Sequence, residues 1–510
     1  MAEKTLALGE SATDGPSRRT VVAATAWGVP AVVVASATPA FAATSDQRVV
    51  SVSAEGGTNL PAAGAVTLTV SVKTPLGVPM AGEAVSLAGP QRSVFVAVDG
   101  LTDTSGKFST TCDLQTPWAK PGSSAVVTAV SGTQTVTQSF VVLGANALGV
   151  GYNSWAEMGD GGPAGGDNPG TGVRRTTPSQ LLRAFPSPVV QVAAAGEGTD
   201  GGSSQATFVL LKDGTVWSVG GNGFGQLGTS ANSRTTWAQI QGLSGVTQIA
   251  ASKATLCALL SDGTLRTWGD NYYGQLGDGS SVSASSSPVQ VRGLPKAVTQ
   301  IAAQWATFYA LLSDGSVWAW GAGNFGQRGD GSSVLVANTP VQASGLSSGV
   351  AAVSSSMALM SDGSVKAWGG FAGNSLTPVS VSGLTSVVAL AGGASTGYAL
   401  RSDGSVWAWG RNNLGQVGNN STTNQPTPVQ VSGLASGVTR IAASGSAGYA
   451  LLSDGTVKAW GGNSGGQLGD GTTTNRLTPV TVGGLSGLSV KDFAQNSPIP
   501  DRMYFITAVG

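Results

Sequence analysis

Histidine is missing from all 510 residues. With it go the commonest general base, the commonest zinc ligand and the usual partner of a serine or cysteine nucleophile. Cysteine is nearly missing as well: only Cys112 and Cys257 are present, too few for a disulfide framework or a cysteine zinc site. They read as two buried free thiols, the alternative being one bridge between domains. Charge is scarce, at 10 % of residues, and balanced, with 26 basic and 26 acidic side chains. Long amphipathic surface helices need more charge than that. No Lys/Arg-rich run follows residue 20, so no basic face for nucleic acid is expected. Nothing in the composition calls for a metal or a cofactor.

What remains is rich in turn and strand formers: 76 glycines, with abundant Ser, Thr and Val. A chain of this length exceeds one domain, and three regions separate. The first, residues 1–42, carries Arg18 and Arg19, then an apolar stretch, then Ala40-Phe41-Ala42 as a small-x-small cleavage site. It resembles a twin-arginine export signal, with general secretion as the alternative route and a retained membrane anchor as the reading against it. Gly28 and Pro30 interrupt the apolar run, and no second long apolar segment exists, so no membrane span is expected after cleavage.

Residues 46–143 show short alternating strands ("AVTLTVSV", "KFSTTCDL", "TVTQSFVVL") separated by turn clusters such as "PLGVPMAG" and "DTSG". This spacing suggests a β-sandwich. "VTLTVSVKTPLGVPMAGEAVSL" with "TDTSGKFSTT" resembles the bacterial immunoglobulin-like domains of invasin- and intimin-type surface proteins, which implies a spacer or presenting module.

Residues 147–510 are periodic. Six segments share the frame of "LLSDGSVWAWGAGNFGQRGDG", and their aspartates Asp213, Asp262, Asp314, Asp362, Asp403 and Asp454 stand 49, 52, 48, 41 and 51 residues apart. The fourth unit is short because it lacks the Gly-Gln-x-Gly piece. Between frames lie a Pro-initiated strand ("TPVQA", "TPVTV") and a small-residue strand ("VTQIAAS", "VTRIAAS"). Asp-Gly between apolar runs predicts a hairpin with a two-residue type I′ turn. Four antiparallel strands per unit, without helical periodicity, predict a propeller blade with the small-residue strand innermost. "GVGYNSWAEMGDGG" at the start and "VKDFAQNSPIPDRMYFITAVG" at the finish each supply half a unit. The expected fold is therefore all-β: a seven-bladed β-propeller, its last blade closed by both termini, behind an N-terminal immunoglobulin-like β-sandwich. The six frames resemble the repeat of the regulator of chromosome condensation family, which implies the propeller without implying the function of the founding member.

Several signatures dissolve once the repeats are aligned. Gly321-x-Gly323-x-x-Gly326 has the spacing of a dinucleotide loop, but it leads into turn and strand rather than a helix. Gly321 and Gly326 recur in the sister frames, and only Gly323 and Arg328 depart from them. Arg328-Gly329-Asp330 spells an adhesion tripeptide, yet it is one variant of a repeated corner. Gly-x-Ser-x-Gly at 345–349 and 462–466 has no histidine to complete a triad. Trp268, Trp320, Trp368, Trp409 and Trp460 recur too regularly to form a local site and are expected to pack between blades. Two positions earlier, Trp217, Arg266, Trp318, Lys366, Trp407 and Lys458 read as inter-blade stacking or cation–π packing, or else as a ligand stripe. The turn aromatics Trp155, Phe224, Tyr272, Tyr273 and Phe325 vary between repeats, which makes them the candidate partner contacts.

The expectation is thus an exported, non-enzymatic, monomeric binding protein whose partner is a protein or a cell surface. A secreted enzyme-inhibiting propeller that grips a protein through its loop face is the nearest functional analogy. The alternatives are guanine-nucleotide exchange, as in the founding family member, and a propeller polysaccharide lyase or hydrolase.

Overall fold

Seven four-stranded antiparallel sheets follow one another around the second of two compact units, into which the chain divides between Ala145 and Asn146. The computed structural model describes the strands between 49 and 153 with a few adjoining residues, then 173–180, 187–196, 205–494 and 502–507. The export segment 1–42 and Trp155 lie outside the described residues.

In the first unit, strands Val49–Ala54, Gly64–Lys73 and Lys107–Leu114 form a three-stranded antiparallel sheet. A five-stranded sheet holds Asn59–Pro61, Gln134–Leu143, Ser124–Ser131, Ala84–Ala88 and Ala97–Leu101 in that order. Val49–Ala54 also approaches Ser124–Ser131 and Gln134–Leu143 of the five-stranded sheet. Val70, Val72, Val85 and Ala129 are fully buried.

In the second unit, blade I contains Val189–Ala195, Ala206–Leu211, Val216–Gly220 and Arg234–Gln239. Blades II to VI repeat the pattern, beginning at Val246, Val298, Val350, Val387 and Val438. Blade VII is composite. Val490–Phe493 pairs with Arg502–Thr507, which pairs with Ala147–Asn153, and Val173–Gln180 completes the sheet. The register sets Arg502 opposite Gly151 and Met503 opposite Val150, the closure from both ends of the repeat region that its two half-units predict.

From blade I to blade VII the first strand of each blade approaches that of the next, and blade I's first strand approaches Arg502–Thr507 of blade VII, so the small residues of "IAAS" do line the centre. The fourth strands, where Pro340, Pro378, Pro428 and Pro479 fall, lie outermost; proline tolerates an edge because it has no N–H to offer a further strand. Apolar cores sit between blades rather than within them. Phe208 and Leu210 of blade I cluster with Leu256 and Trp268 of blade II, and Leu259 of blade II with Phe308 and Trp320 of blade III.

Two kinds of hydrogen bond staple neighbouring blades. The tryptophan indole donates to the previous blade's glutamine carbonyl: Trp268 Nε1 to Gln226 O at 2.9 Å, Trp320 to Gln275 O at 2.9 Å, Trp368 to Gln327 O at 2.7 Å and Trp460 to Gln416 O at 2.8 Å. Inter-blade packing of these tryptophans is what the repeat predicts. Nearer the axis, the Gln191 side chain exchanges two bonds with the backbone of Ile249 in the next blade, and Gln248 does the same with Ile301. Gln300 Oε1 accepts from Val353 N. The corresponding residues of blades IV and V are Ala352 and Ala389.

The Asp-Gly turns depart from the expected type I′. Gly214 N donates to Leu211 O and Leu211 N to Thr215 O. Only the glycine has positive φ, 81° at Gly214 and 80° at Gly263. This is a type I turn followed by a left-handed glycine bulge. The aspartate itself drives the choice: Asp262 Oδ1 accepts from Thr264 N at 2.9 Å and Thr264 Oγ1 at 2.7 Å, a local side-chain turn that an L-residue makes in ordinary backbone geometry.

Candidate functional site

The loop between third and fourth strands and the turn between first and second strands emerge at the same end of each antiparallel blade. In blade II, buried Asp270 and Gln275 fix that loop. Asp270 Oδ1 accepts from Tyr272 N at 3.0 Å, Gln275 Oε1 from Tyr273 N at 2.7 Å, and Gln275 Nε2 donates to Asp270 Oδ2 at 3.0 Å. Asn271 completes the frame by accepting from Leu276 N and donating to Val282 O. With its backbone held from below, the loop presents both tyrosines outward.

Tyr272 is 70 % exposed and meets Tyr273 edge-on, with centroids 4.9 Å apart at 83°. Tyr273 in turn lies 5.0 Å from the ring of Trp305, which comes from the first turn of blade III. The Lys253 ammonium stands 6.0 Å from the Tyr273 centroid, and Lys253 N donates to Trp305 O at 2.7 Å. Trp305 holds φ 46°, a left-handed conformation that a bulky residue adopts only when its surroundings impose it, and that stores on the order of 1–3 kcal/mol. Beneath it, Gln304 accepts from Ser356 Oγ at 2.7 Å and donates to Ala394 O at 3.2 Å, linking blade III to blades IV and V.

Tyr272 and Tyr273 are therefore brought together, while Phe224 and Phe325 make no ring contact with them. Phe325 is 54 % exposed at the same end of blade III, with Val334, Leu335 and Val336 exposed in its own loop and Val282 in the loop of blade II. Phe224 is half-buried. Lys253 and Trp305 were not among the sequence candidates. Their signal was available, since an aromatic at 305 replaces lysine at the tip of an otherwise repeated turn. This stacked aromatic surface with one cation can hold planar or apolar groups. Among the described residues, no group of three His, Cys, Asp or Glu side chains is placed to hold a metal, and no helix is long and apolar enough to cross a membrane.

The remaining candidates are structural. Arg328 is 2 % exposed, donating to Val334 O at 2.8 Å and Gly321 O at 3.2 Å and pairing with Asp330 at 3.2 Å; the adhesion tripeptide is folded inward. Gly321 and Gly326 are glycines because a Cβ would stand 2.2 Å from Ala306 O and 2.4 Å from Ser375 O. Trp318 and Trp407 pack against inter-blade cores, and Arg401 lies 4.2 Å over the Trp407 ring, so in these two blades the position serves packing and cation–π contact. Cys257 is buried and free, its thiol pushed up by desolvation; the Cys112 side chain lies outside the described side chains. The exposed turn aspartates Asp262, Asp314, Asp362, Asp403 and Asp454 are all held below the ordinary carboxylate value by hydrogen bonds from the Ser or Thr two residues on.

Residues 146–496 match the family model described as the RCC1-like domain. Among solved structures, human WBSCR16 is similar at a TM-score of 0.59 and 21% identity, over 71% of this chain and 98% of its own. Prp20p from Saccharomyces cerevisiae, reported with its binding properties to Gsp1p and histones, is similar at 0.60 and 21%, over 72% and 92%. The yeast protein in complex with Kap60 gives 0.60 and 19%, over 72% and 89%. At such identities the likeness shows the fold.

Proposed function

Because this chain belongs to the RCC1-like domain family, we propose that its propeller is a protein-binding module, exported from the cell and held out by an immunoglobulin-like N-terminal domain. The observation that carries the reading is the Tyr272–Tyr273–Trp305 stack. Exposed aromatics of this kind supply contact area at low entropic loss, and the exposed apolar side chains of the loops of blades II and III extend the surface. Prp20p, a structural relative, binds Gsp1p and histones, which supports protein binding as the use of the scaffold. The two facing sheets at 49–143 suit a spacer, and the Arg18-Arg19 segment with Ala40-Phe41-Ala42 suits an export signal cleaved after Ala42.

A non-enzymatic role fits the chemistry. The turn aspartates are exposed, separate from one another and lowered in pKa, whereas a general acid in a glycosidase needs a raised one. A nucleotide-release assay on small GTPases that showed no acceleration would close the guanine-nucleotide exchange alternative.

The test of the main reading compares wild-type protein with Tyr272→Ala and Trp305→Gly variants in capture from envelope extracts and host surface material. A partner retained by the wild type and lost by both variants supports it; retention by all three overturns the assignment of this face. The amino terminus of the exported protein, expected at Ala43, tests export separately.

A further inference from the structure

The third residue of each first strand forms one position around the inner ring: Gln191, Gln248, Gln300, Ala352, Ala389, Arg440 and Asp492. Two of the glutamines meet the next blade in one fixed way. Gln191 Nε2 donates to Ile249 O at 2.9 Å while its Oε1 accepts from Ile249 N at 2.8 Å, and Gln248 makes the same pair of bonds with Ile301, both at 2.9 Å. A strand residue that is not bonded to the residue opposite it turns both its N–H and its C=O to the other side. Ile249 and Ile301 thus offer a donor and an acceptor side by side, and a primary amide matches both.

Leu390 and Ile441 hold the same register. Leu390 stands opposite Ala399 and Ile441 opposite Ala450, as Ile249 stands opposite Ala258 and Ile301 opposite Ala310, each just past a bulge. Their N–H and C=O therefore turn toward blades IV and V, where Ala352 and Ala389 end at Cβ. Among the described residues no side chain bonds to either pair. Burial divides in the same way. Ile249, Ile301 and Val353, behind glutamines, are 0, 1 and 2 % exposed, whereas Leu390 and Ile441, behind alanines, are half-buried. Val388, 53 % exposed, and the exposed Thr439 and Arg440 place the approach in solvent.

We propose that the inner wall of blades IV to VI is a carboxamide site, in which a glutamine side chain of the partner protein takes at Ala352 or Ala389 the place that Gln191 and Gln248 hold in blades I and II. A carboxylate has no proton for the carbonyl, and an ammonium has no acceptor for the N–H. An added partner strand would need a run of such pairs, and the bulges at Val387/Ala389 and Val438/Arg440 interrupt the edge. The inference rests on the protein-binding reading for the source of the amide, and it concerns the inner ring rather than the aromatic stack.

The experiment uses the full chain, labelled with heavy nitrogen at leucine and isoleucine, and follows its amide resonances. The probes are Gly-Gln-Gly, Gly-Glu-Gly and Gly-Met-Gly with acetyl and N-methylamide ends, so that only the glutamine carries a primary amide. The glutaminyl peptide is expected to shift the Leu390 or Ile441 resonance saturably, with a Kd on the order of millimolar, as two uncharged hydrogen bonds allow. Ile249 and Ile301, already bonded, should not move. In an Ala352→Gln/Ala389→Gln double variant the Leu390 and Ile441 resonances should be shifted without peptide and should no longer respond, with Ile249 and Ile301 unchanged as the sign of an intact ring. No saturable shift in the wild type, equal shifts with all three peptides, or a response that survives in the double variant overturns the site. Free L-glutamine binding more than tenfold tighter than the blocked peptide would make this a small-molecule site and overturn the partner as the source. A glutaminyl response in a protein that captures no partner fails the binding reading and leaves the carboxamide site standing.

Discussion

The guanidinium of Arg328 occupies the space that a side chain at position 323 would fill: a Cβ built on Gly323 would stand 2.0 Å from Arg328 Nη1. In blade II the corresponding pair is Asn271 and Leu276, and Asn271 Nδ2 donates to Val282 O. In blade III the same task, a bond to Val334 O, passes to Arg328. The two departures from the repeat are one exchange, an asparagine donor reached from one side of the loop replaced by an arginine donor reached from the other.

Gly323→Asn alone should therefore destabilise the propeller by about 1–3 kcal/mol through overpacking against Arg328, and Arg328→Leu alone by a similar amount through the unpaired Val334 and Gly321 carbonyls. The double variant should recover most of the loss, because together they restore the sister arrangement. Urea unfolding of the four proteins in a double-mutant cycle measures the coupling; simple additivity would refute the exchange.

Trp320→Phe removes the indole bond to Gln275 O and leaves a buried carbonyl without its donor, a loss of about 1–3 kcal/mol. A lower urea midpoint checks it. Trp318→Phe, at a half-buried position two residues earlier on the same strand, should cost less.

Deleting Met503–Gly510 withdraws the strand that pairs with Ala147–Asn153 and breaks the bond of 2.7 Å between Tyr504 and Thr207 of blade I. The ring should open, with a lower melting temperature and new protease cleavage near the exposed sheet edge. An unchanged melting temperature would refute the split blade.

Acid stability follows from the turn aspartates. Their folded pKa values lie below that of an ordinary aspartate, held down by the Ser and Thr hydrogen bonds. The stability they contribute is fully present above that value, declines as pH falls below it, and is gone beneath the folded value. With no histidine to titrate, the denaturation midpoint should be flat from about pH 5 to 8 and fall below about pH 4. Replacing Asp262 and Asp314 by Ala should shrink that acid-side fall.

The period of the repeat was enough to read the ring, its blade count and its two-ended closure, because each blade is a local four-strand unit whose glycines, prolines and tryptophans recur in register. The turn type was misread for a physical reason: Asp-Gly alone signals type I′, but the hydroxyl of Thr264 or Ser316 two residues on satisfies the carboxylate in another geometry. Tyr272, Tyr273 and Phe325 were legible as variable tips. Trp305 was not, since its significance lies in what stands beside it, a tyrosine from the previous blade.

The glutamine staples near the axis do not run all the way round. The backbone N–H groups of Ile249, Ile301 and Val353 each donate to a glutamine Oε1 of the preceding blade, whereas Ala352 and Ala389 have no side-chain amide to pair with Leu390 and Ile441. The hoop is stiff along one arc and yielding along the other, so breathing of the central channel should be lopsided. Slow hydrogen exchange is expected at Ile249, Ile301 and Val353, and faster exchange at Leu390 and Ile441, on the side of blades IV to VI.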